Sequence, residues 1–164
     1  MTFIGFLAEK KDENHFESVL KKYLENINGK AMTVAINEKS ISNLKSIRFE
    51  TIIIDRNIKA EFEKELKEIL KASKYLIINA DMVNIENFKE MNLTVITYGF
   101  GNKCTVTASS VEEENTLICL QRAIKNIKNN EIEPQEISTN ARDTLDNQYL
   151  NMAVETVKLL YNVN

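Results

Sequence analysis

The stretch Glu50 to Asp55 (ETIIID) decides the fold class of this chain. Its three consecutive isoleucines place apolar side chains on both faces of an extended segment, so the pattern predicts a strand that is buried on both sides. Strands of this kind belong to parallel sheets that carry helices on both faces. The residues on either side should therefore alternate between helices and further short apolar strands.

The first hundred residues show this alternation. Upstream, apolar strands predicted at 2–8 (TFIGFLA) and 31–36 (AMTVAI) flank a helix with an apolar stripe from Phe16 to Ile27, which Asn28 and Gly29 should end. Further elements are predicted as a turn or short helix at 40–47, a helix at 58–70, a strand at 75–79 (YLIIN), a short helix at 85–91 and a strand at 93–97 (LTVIT). The pattern predicts right-handed βαβ units in a doubly wound, mostly parallel, Rossmann-like sheet.

After Gly99 the pattern changes. Residues 104–111 (CTVTASSV) alternate small apolar and hydroxyl side chains, which indicates a half-exposed strand beyond the parallel section. Residues 116–127 fit either a helix capped by Ser110 to Glu113 or a strand. We favour the strand, because Asn129-Asn130 is a plausible tight turn into an edge strand at 131–138 that contains Pro134. The sequence thus predicts a C-terminal β-hairpin extension.

The last predicted helix, residues 143–161, carries two adjacent apolar stripes, whereas a surface helix usually has one stripe about 100° wide. We expect a homodimer in which a second copy covers one stripe, so that replacing Val154 and Val157 by Asp would give a folded monomer. The β-rich segment before the helix is the alternative cover. The domain prediction is a single domain, 1–164, made of a parallel core (1–102), a β-rich extension (103–139) and this helix.

Composition limits the partners. The 164 residues are 43% apolar and 27% charged, with 24 acidic against 21 basic side chains and a net charge of -3. This balance argues against binding to nucleic acid or to anionic membranes. Residues 1–8 lack the features of a signal peptide, and no apolar run approaches about 20 residues, so we expect a cytoplasmic protein. Cys104 and Cys119 lie in apolar stretches and should be reduced core residues.

Ligands of open α/β sheets bind beyond the carboxyl ends of the strands. The residues that follow the predicted strands form a candidate ligand-binding crevice: Asp55, Asn57, Asn79, Asp81, Tyr98 and Gly99. Two carboxylates at one crevice suit a cation or a ribose, although Asp and Asn also serve there as helix caps. The loop Glu9 to Glu13 lacks glycine, and its three acids would repel a triphosphate.

A second polar cluster occurs inside strand-like segments and comprises Ser109, Ser110, Gln121 and Arg122. A buried arginine there could bind an acidic ligand, or it could form a structural ion pair with Glu133 or Glu136. His15 is the single histidine, and its separation from the cysteines gives no metal-ligand spacing. We therefore expect no metal, no cofactor and no catalytic residues of the Ser-His-Asp or Cys-His kind.

The strand YLIIN with Ala80-Asp81, followed by LTVITYGFG, resembles the central domain of the Mur ligases. In that family a strand ending in Asn-x-Asp-Asp precedes another ending in Tyr/Phe-Gly. The resemblance covers residues 1–105 and implies that Asn79 and Asp81 lie near the adenosine side of a nucleotide site, with Tyr98 and Gly99 near the crevice wall. The chain departs from the family at its phosphate loop and metal-binding residues, and Met82 replaces the second Asp.

These observations predict a non-catalytic protein that resembles the Mur ligase central domain and binds a small ligand or acts in regulation, with a link to cell-envelope metabolism. One alternative is a homo-oligomeric interaction module without a ligand. The other is an enzyme with an unfamiliar carboxylate site at Asp55 and Asp81.

Overall fold

The computed structural model describes residues 1–27, 29–111, 115–140 and 145–164, with backbone only for residues 110, 111, 115 and 140. The strands are β1 (Thr2–Leu7), β2 (Ala31–Ala35), β3 (Thr51–Ile54), β4 (Tyr75–Asn79), β5 (Thr94–Tyr98), β6 (Val106–Val111), β7 (Asn115–Leu120), β8 (Ile124–Lys125), β9 (Glu131–Ile132) and β10 (Gln135–Asn140). The helices are α1 (Lys10–Leu24), α2 (Glu63–Lys71) and α3 (Gln148–Tyr161), with 3-10 turns at Ile41–Asn43, Ala60–Phe62 and Ile85–Phe88. Among these helices none has the length and apolar character needed to cross a membrane.

Eight strands form one sheet in the order β10-β7-β6-β5-β4-β3-β1-β2. Strands β2, β1, β3, β4 and β5 are parallel neighbours, which confirms the predicted mostly parallel α/β sheet. The parallel section extends one strand further than we expected, because β6 is parallel to β5 through the pair Tyr98 and Val106. Strands β7 and β10 then add in antiparallel orientation, and β8 and β9 form a separate two-stranded sheet.

The ambiguous segment 116–127 forms strands, so the strand interpretation is confirmed; residues 112 and 113 of its proposed helix cap lie outside the described residues. The turn at Asn129 is also confirmed, since Asn126 N donates to Asn130 O at 3.0 Å. The single edge strand predicted at 131–138 is wrong. It is two strands, β9 and β10, separated by Glu133 and Pro134, because proline has no N–H to continue a ladder.

Three helices are shorter than the sequence predicted. A 3-10 turn precedes α2, which begins at Glu63 rather than Ile58, and the helix predicted at 85–91 is only the turn Ile85–Phe88. Helix α3 begins at Gln148 because the Asn147 side chain accepts from Tyr149 N at 3.0 Å and caps it. Residues 141–144, where we placed the start of α3, and Asn28 in the predicted stop of α1 lie outside the described residues.

The sheet separates two apolar cores. Ile53 and Ile77 point to the core beneath α1 and α3, whereas Ile52, Ile54 and Ile78 point to the core beneath α2. The isoleucine run of β3 is therefore buried on both faces, as its sequence predicted.

Helix α3 is buried within its own chain. All residues from Leu150 to Val157 are buried, and the helix contacts β4, β5, β6 and α1. Both apolar stripes thus have a cover within the described chain, made by β4, β5 and α1 together with β6 of the β-rich segment that we considered. These contacts remove the reason for placing a homodimer interface on α3, and the homodimer itself stays a prediction.

Candidate functional site

The crevice residues lie where three parallel strands end. Strands β3, β4 and β5 are consecutive neighbours in the sheet, and each is followed by a residue of the predicted crevice. Asp55 comes directly after β3, Asp81 lies two residues beyond the end of β4, and Gly99 follows β5. The predicted placement of Asp55 and Asp81 at one sheet edge is confirmed.

The centre of the crevice is the carboxylate of Asp55, which is 5% exposed. Its Oδ1 accepts hydrogen bonds from the Tyr98 hydroxyl at 2.6 Å and from Asn79 Nδ2 at 3.0 Å. Tyr98 and Asn79 are themselves fully buried. Among the described residues, no side chain or backbone group donates a hydrogen bond to Oδ2 of Asp55.

The Asn79 side chain connects this centre to the following loop. Its Oδ1 accepts from the backbone N–H groups of Asp81 and Met82, at 3.1 and 3.2 Å. The amide of Asn79 is therefore oriented from both ends, since its oxygen binds the loop while its nitrogen binds Asp55. This capping role is the alternative that the sequence left open, and Asn79 performs it while also holding the carboxylate.

The pKa values of Asp55 and Tyr98 are both shifted by their buried surroundings. Burial raises the pKa of Asp55 above its ordinary value, an effect opposed by the bonds from Tyr98 and Asn79 and reinforced by the charges of Asp12 and Glu9. Burial, with the neighbouring Asp55 charge, raises the pKa of Tyr98 well above its ordinary value, so this phenol remains a hydrogen-bond donor. The centre therefore favours a proton or a donor group and disfavours an anion.

The outer wall of the crevice is built around Asp81, which is exposed. Its Oδ2 accepts from Phe100 N at 2.8 Å and from the Tyr149 hydroxyl at 3.1 Å. The rings of Phe100 and Tyr149 meet edge to face with centroids 5.2 Å apart. A Cβ on Gly99, whose φ is +155°, would lie 2.8 Å from the Asp81 carboxyl group, so this turn requires glycine.

Tyr149 is a crevice residue that the sequence did not identify. It falls in one of the two apolar stripes predicted for the last helix, and that pattern gives no signal that its hydroxyl has a partner in Asp81, after β4. The N-cap Asn147 was the available signal, because it fixes where α3 begins and thus which side chain reaches the sheet edge.

The sequence analysis missed an ion pair between Arg56 and Glu38, which joins the chain segments that follow β1, β2 and β3. Arg56 donates to both carboxylate oxygens of Glu38 at 2.9 Å and to Ala8 O at 2.8 Å. This pair lowers the pKa of Glu38 to about 2, chiefly through the hydrogen bonds from Arg56. Asn57, a predicted ligand-binding residue, is exposed and donates to Met82 O at 2.9 Å, so it ties two loops together beside Asp55.

Helix α1 begins at Lys10, so most of the loop predicted from Glu9 to Glu13 is its first turn, and the charges of Glu9 and Asp12 act on Asp55. Asp12 Oδ2 accepts from the Asn147 side chain at 3.3 Å, and Glu13 accepts from Asn37 at 3.3 Å. A phosphate would meet these carboxylates at the helix N-terminus that phosphate-binding folds keep for the anion. Among the described residues, no group of three or more His, Cys, Asp or Glu side chains is placed to hold a metal ion.

The second polar cluster is made of separate structural contacts. Gln121 donates to Cys104 O at 2.9 Å, Arg122 to Lys103 O at 2.7 Å, and Ser109 to Leu117 O at 3.3 Å. The side chain of Ser110 lies outside the described residues. Our expectation of a buried arginine is wrong, because Arg122 is exposed, and within the described chain it makes no ion pair with Glu133 or Glu136.

Of the remaining reactive side chains, Cys104 lies near the outer wall, where burial and the charge of Asp81 raise the pKa of its thiol. His15 is exposed on α1, Cys104 is buried and Cys119 is half-buried, and both thiols are free. The prediction of two core cysteines is confirmed in full only for Cys104. No protein-family model and no curated protein matches this chain.

Proposed function

We propose that the chain is a non-catalytic, small-ligand-binding or regulatory protein of the Mur ligase central-domain type, linked to cell-envelope metabolism. The observation that carries this proposal is the buried carboxylate of Asp55, held on one oxygen by Tyr98 and Asn79 at the carboxyl edge of the sheet. A preorganised acceptor at the place where α/β sheets bind ligands supports a binding role.

The charges around Asp55 define the class of ligand. The negative charges of Asp12 and Glu9 raise the pKa of Asp55, and Asp81 adds a further carboxylate at the outer wall. Two acceptors in a negative environment suit a neutral or cationic ligand that donates hydrogen bonds, such as the ribose of a nucleoside or an amine. A triphosphate would meet repulsion instead, and the glycine-free start of α1 at Glu9 gives it no cradle.

Thermal unfolding in the presence of adenosine, ATP with magnesium, and a short diamine tests the proposal. A ligand at 100 times its dissociation constant adds about 2.7 kcal/mol to the free energy of unfolding. We expect adenosine or the diamine to stabilise the chain and ATP to stabilise it less, because the triphosphate approaches Glu9 and Asp12.

The matched pair of variants is Asp55→Asn and Glu136→Gln. Both remove one carboxylate charge, but Glu136 is exposed on the edge strand β10, away from the crevice. Asp55→Asn should abolish the stabilisation and Glu136→Gln should leave it intact. A flat response to all three compounds would contradict ligand binding and favour the interaction module.

A further inference from the structure

A groove of about 410 Å³ opens beside the amino-terminal half of β5, at the opposite end of that strand from the crevice. One wall is formed by Thr94, Val95 and Ile96, and the other by the segment 122–127. Its size lies within the range of about 300–1,000 Å³ typical of ligand pockets.

The groove exists because the sheet is staggered at this point. Strand β5 pairs with β4 along its whole length, from Thr94 to Tyr98. On its other side it meets β6 only at Tyr98 and Val106, where β6 begins. Within the described part of the chain, no strand pairs with Thr94 to Ile96 on that side, so β5 has a free edge inside the sheet.

Backbone hydrogen bonds show which groups face this edge. Thr94 N donates to Lys74 O and Tyr98 O accepts from Ala80 N, so both residues turn their polar groups toward β4. Alternate residues of a strand turn these groups to opposite sides, and Gly99 N accordingly donates to Val106 O on the β6 side. The N–H and C=O of Val95 therefore point into the groove, where an unpaired edge is a template for an added strand.

The side chains of the groove define the charge of an occupant. The described residues that line it include Arg122 and Lys125, both exposed, and no carboxylate. Arg122 uses one N–H for Lys103 O, so its guanidinium retains other donors. Half-buried Ile127 adds apolar surface beside these cations, with the largely buried Ile124 next to it, and together they suit a chain of alternating acidic and apolar side chains.

We propose that an extended, acidic segment of a partner protein binds in this groove as an added strand beside β5. Its backbone pairs with Val95, its carboxylates face Arg122 and Lys125, and its apolar side chains contact Ile124 and Ile127. This site is independent of the ligand proposed for the Asp55 crevice.

The test uses the ¹⁵N-labelled full chain and a capped pentapeptide that alternates valine and glutamate. We expect the peptide to shift the amide resonances of Val95 and of residues 122–127. The double substitution Arg122→Glu and Lys125→Glu should weaken binding by about tenfold or more, because it replaces both cations by like charges. The control Lys11→Glu and Lys64→Glu changes the net charge equally at exposed positions on α1 and α2 and should not weaken binding comparably.

Two further peptides separate strand addition from charge attraction alone. Lysine in place of glutamate should remove binding to the unmodified chain, and N-methylation of alternate backbone amides should weaken the acidic peptide. An unmoved Val95 amide at about 1 mM peptide overturns the proposal. Equal binding of the acidic and lysine peptides, or of the methylated and unmethylated ones, overturns it too.

Discussion

The hydroxyl of Tyr98 donates a 2.6 Å hydrogen bond to Oδ1 of Asp55 across the intervening strand β4. The two residues are 43 positions apart in the chain, and the bond is buried. It joins the ends of β3 and β5 and holds the carboxylate in one orientation. The stability of the crevice should depend on this bond more than on the exposed contacts around it.

Replacing Tyr98 by Phe should lower the free energy of unfolding by about 1–3 kcal/mol, because a buried acceptor on Asp55 loses its shortest partner. Urea unfolding measures the loss. The control Tyr149→Phe removes the exposed bond to Asp81 and should cost less than about 1 kcal/mol. Equal losses in the two variants would contradict the central role of the buried bond.

Asp55→Asn should be more stable than the unmodified chain at pH 7, because the amide oxygen can still accept from Tyr98 and Asn79 without a buried charge. The folded-state pKa of Asp55 is raised above its ordinary value of 3.8, mainly by burial. The protonated Asp55 side chain therefore contributes fully to the free energy of unfolding below pH 3.8. This contribution is lost as the pH rises through the folded-state pKa. Unfolding from pH 3 to 8 should show the two proteins converging at low pH, and a less stable variant at pH 7 contradicts this reasoning.

Glu38→Gln should lower the free energy of unfolding by about 1–2 kcal/mol at pH 7, since it removes a bidentate, half-buried ion pair with Arg56. Arg56 lowers the pKa of Glu38 from 4.5 to about 2. The ionised Glu38 carboxylate therefore contributes fully to the free energy of unfolding above pH 4.5. This contribution is lost as the pH falls through about 2, where the variant and the unmodified chain should have the same stability.

The control for this ion pair is Glu68→Gln. Glu68 contacts Lys45 at 3.9 Å with both side chains about half exposed, so its loss should change stability by less than about 0.5 kcal/mol. If Glu38→Gln has an equally small effect, the ion pair of Glu38 with Arg56 does not stabilise the fold as we expect.

Gly99→Ala should destabilise the chain by about 1–3 kcal/mol, because a Cβ would collide with the Asp81 carboxyl group and φ is +155°. Gly101→Ala is the control, since its Cβ would meet nothing closer than 3.8 Å. Removing the carboxyl group with Asp81→Ala should recover part of the loss in a double-mutant cycle. Complete additivity of the two substitutions would exclude the collision as its cause.

Val157→Asp should unfold the chain rather than release a monomer, because Val157 is 1% exposed inside the core beneath α3. An unpaired buried carboxylate costs several kcal/mol, a large part of the total stability of a domain. Circular dichroism should show loss of structure, whereas Val163→Asp, at a half-buried position after α3, should remain folded. A folded Val157→Asp monomer derived from a dimeric parent would instead restore the homodimer interface on α3.

The parallel core was predictable because its signals are local. The run ETIIID and the apolar segments around it specify strands whose carboxyl ends must share an edge, so Asp55, Asn79 and Asp81 could be placed together. The partners of these residues could not be predicted, since Tyr149 reaches Asp81 only after α3 has packed. The pair of Arg56 with Glu38 likewise depends on the order of β2, β1 and β3 in the sheet.

The stagger between β5 and β6 also has a consequence for how the chain folds. One residue pair, Tyr98 with Val106, joins the parallel block to the block of β6, β7 and β10, and α3 packs across the junction against β4, β5 and β6. Because a single residue pair joins the strands of the two blocks, we expect them to unfold together mainly through the contacts that both make with α3. We expect the junction to be stable only while α3 is docked, so hydrogen exchange at β6 and β7 should report the docking of α3.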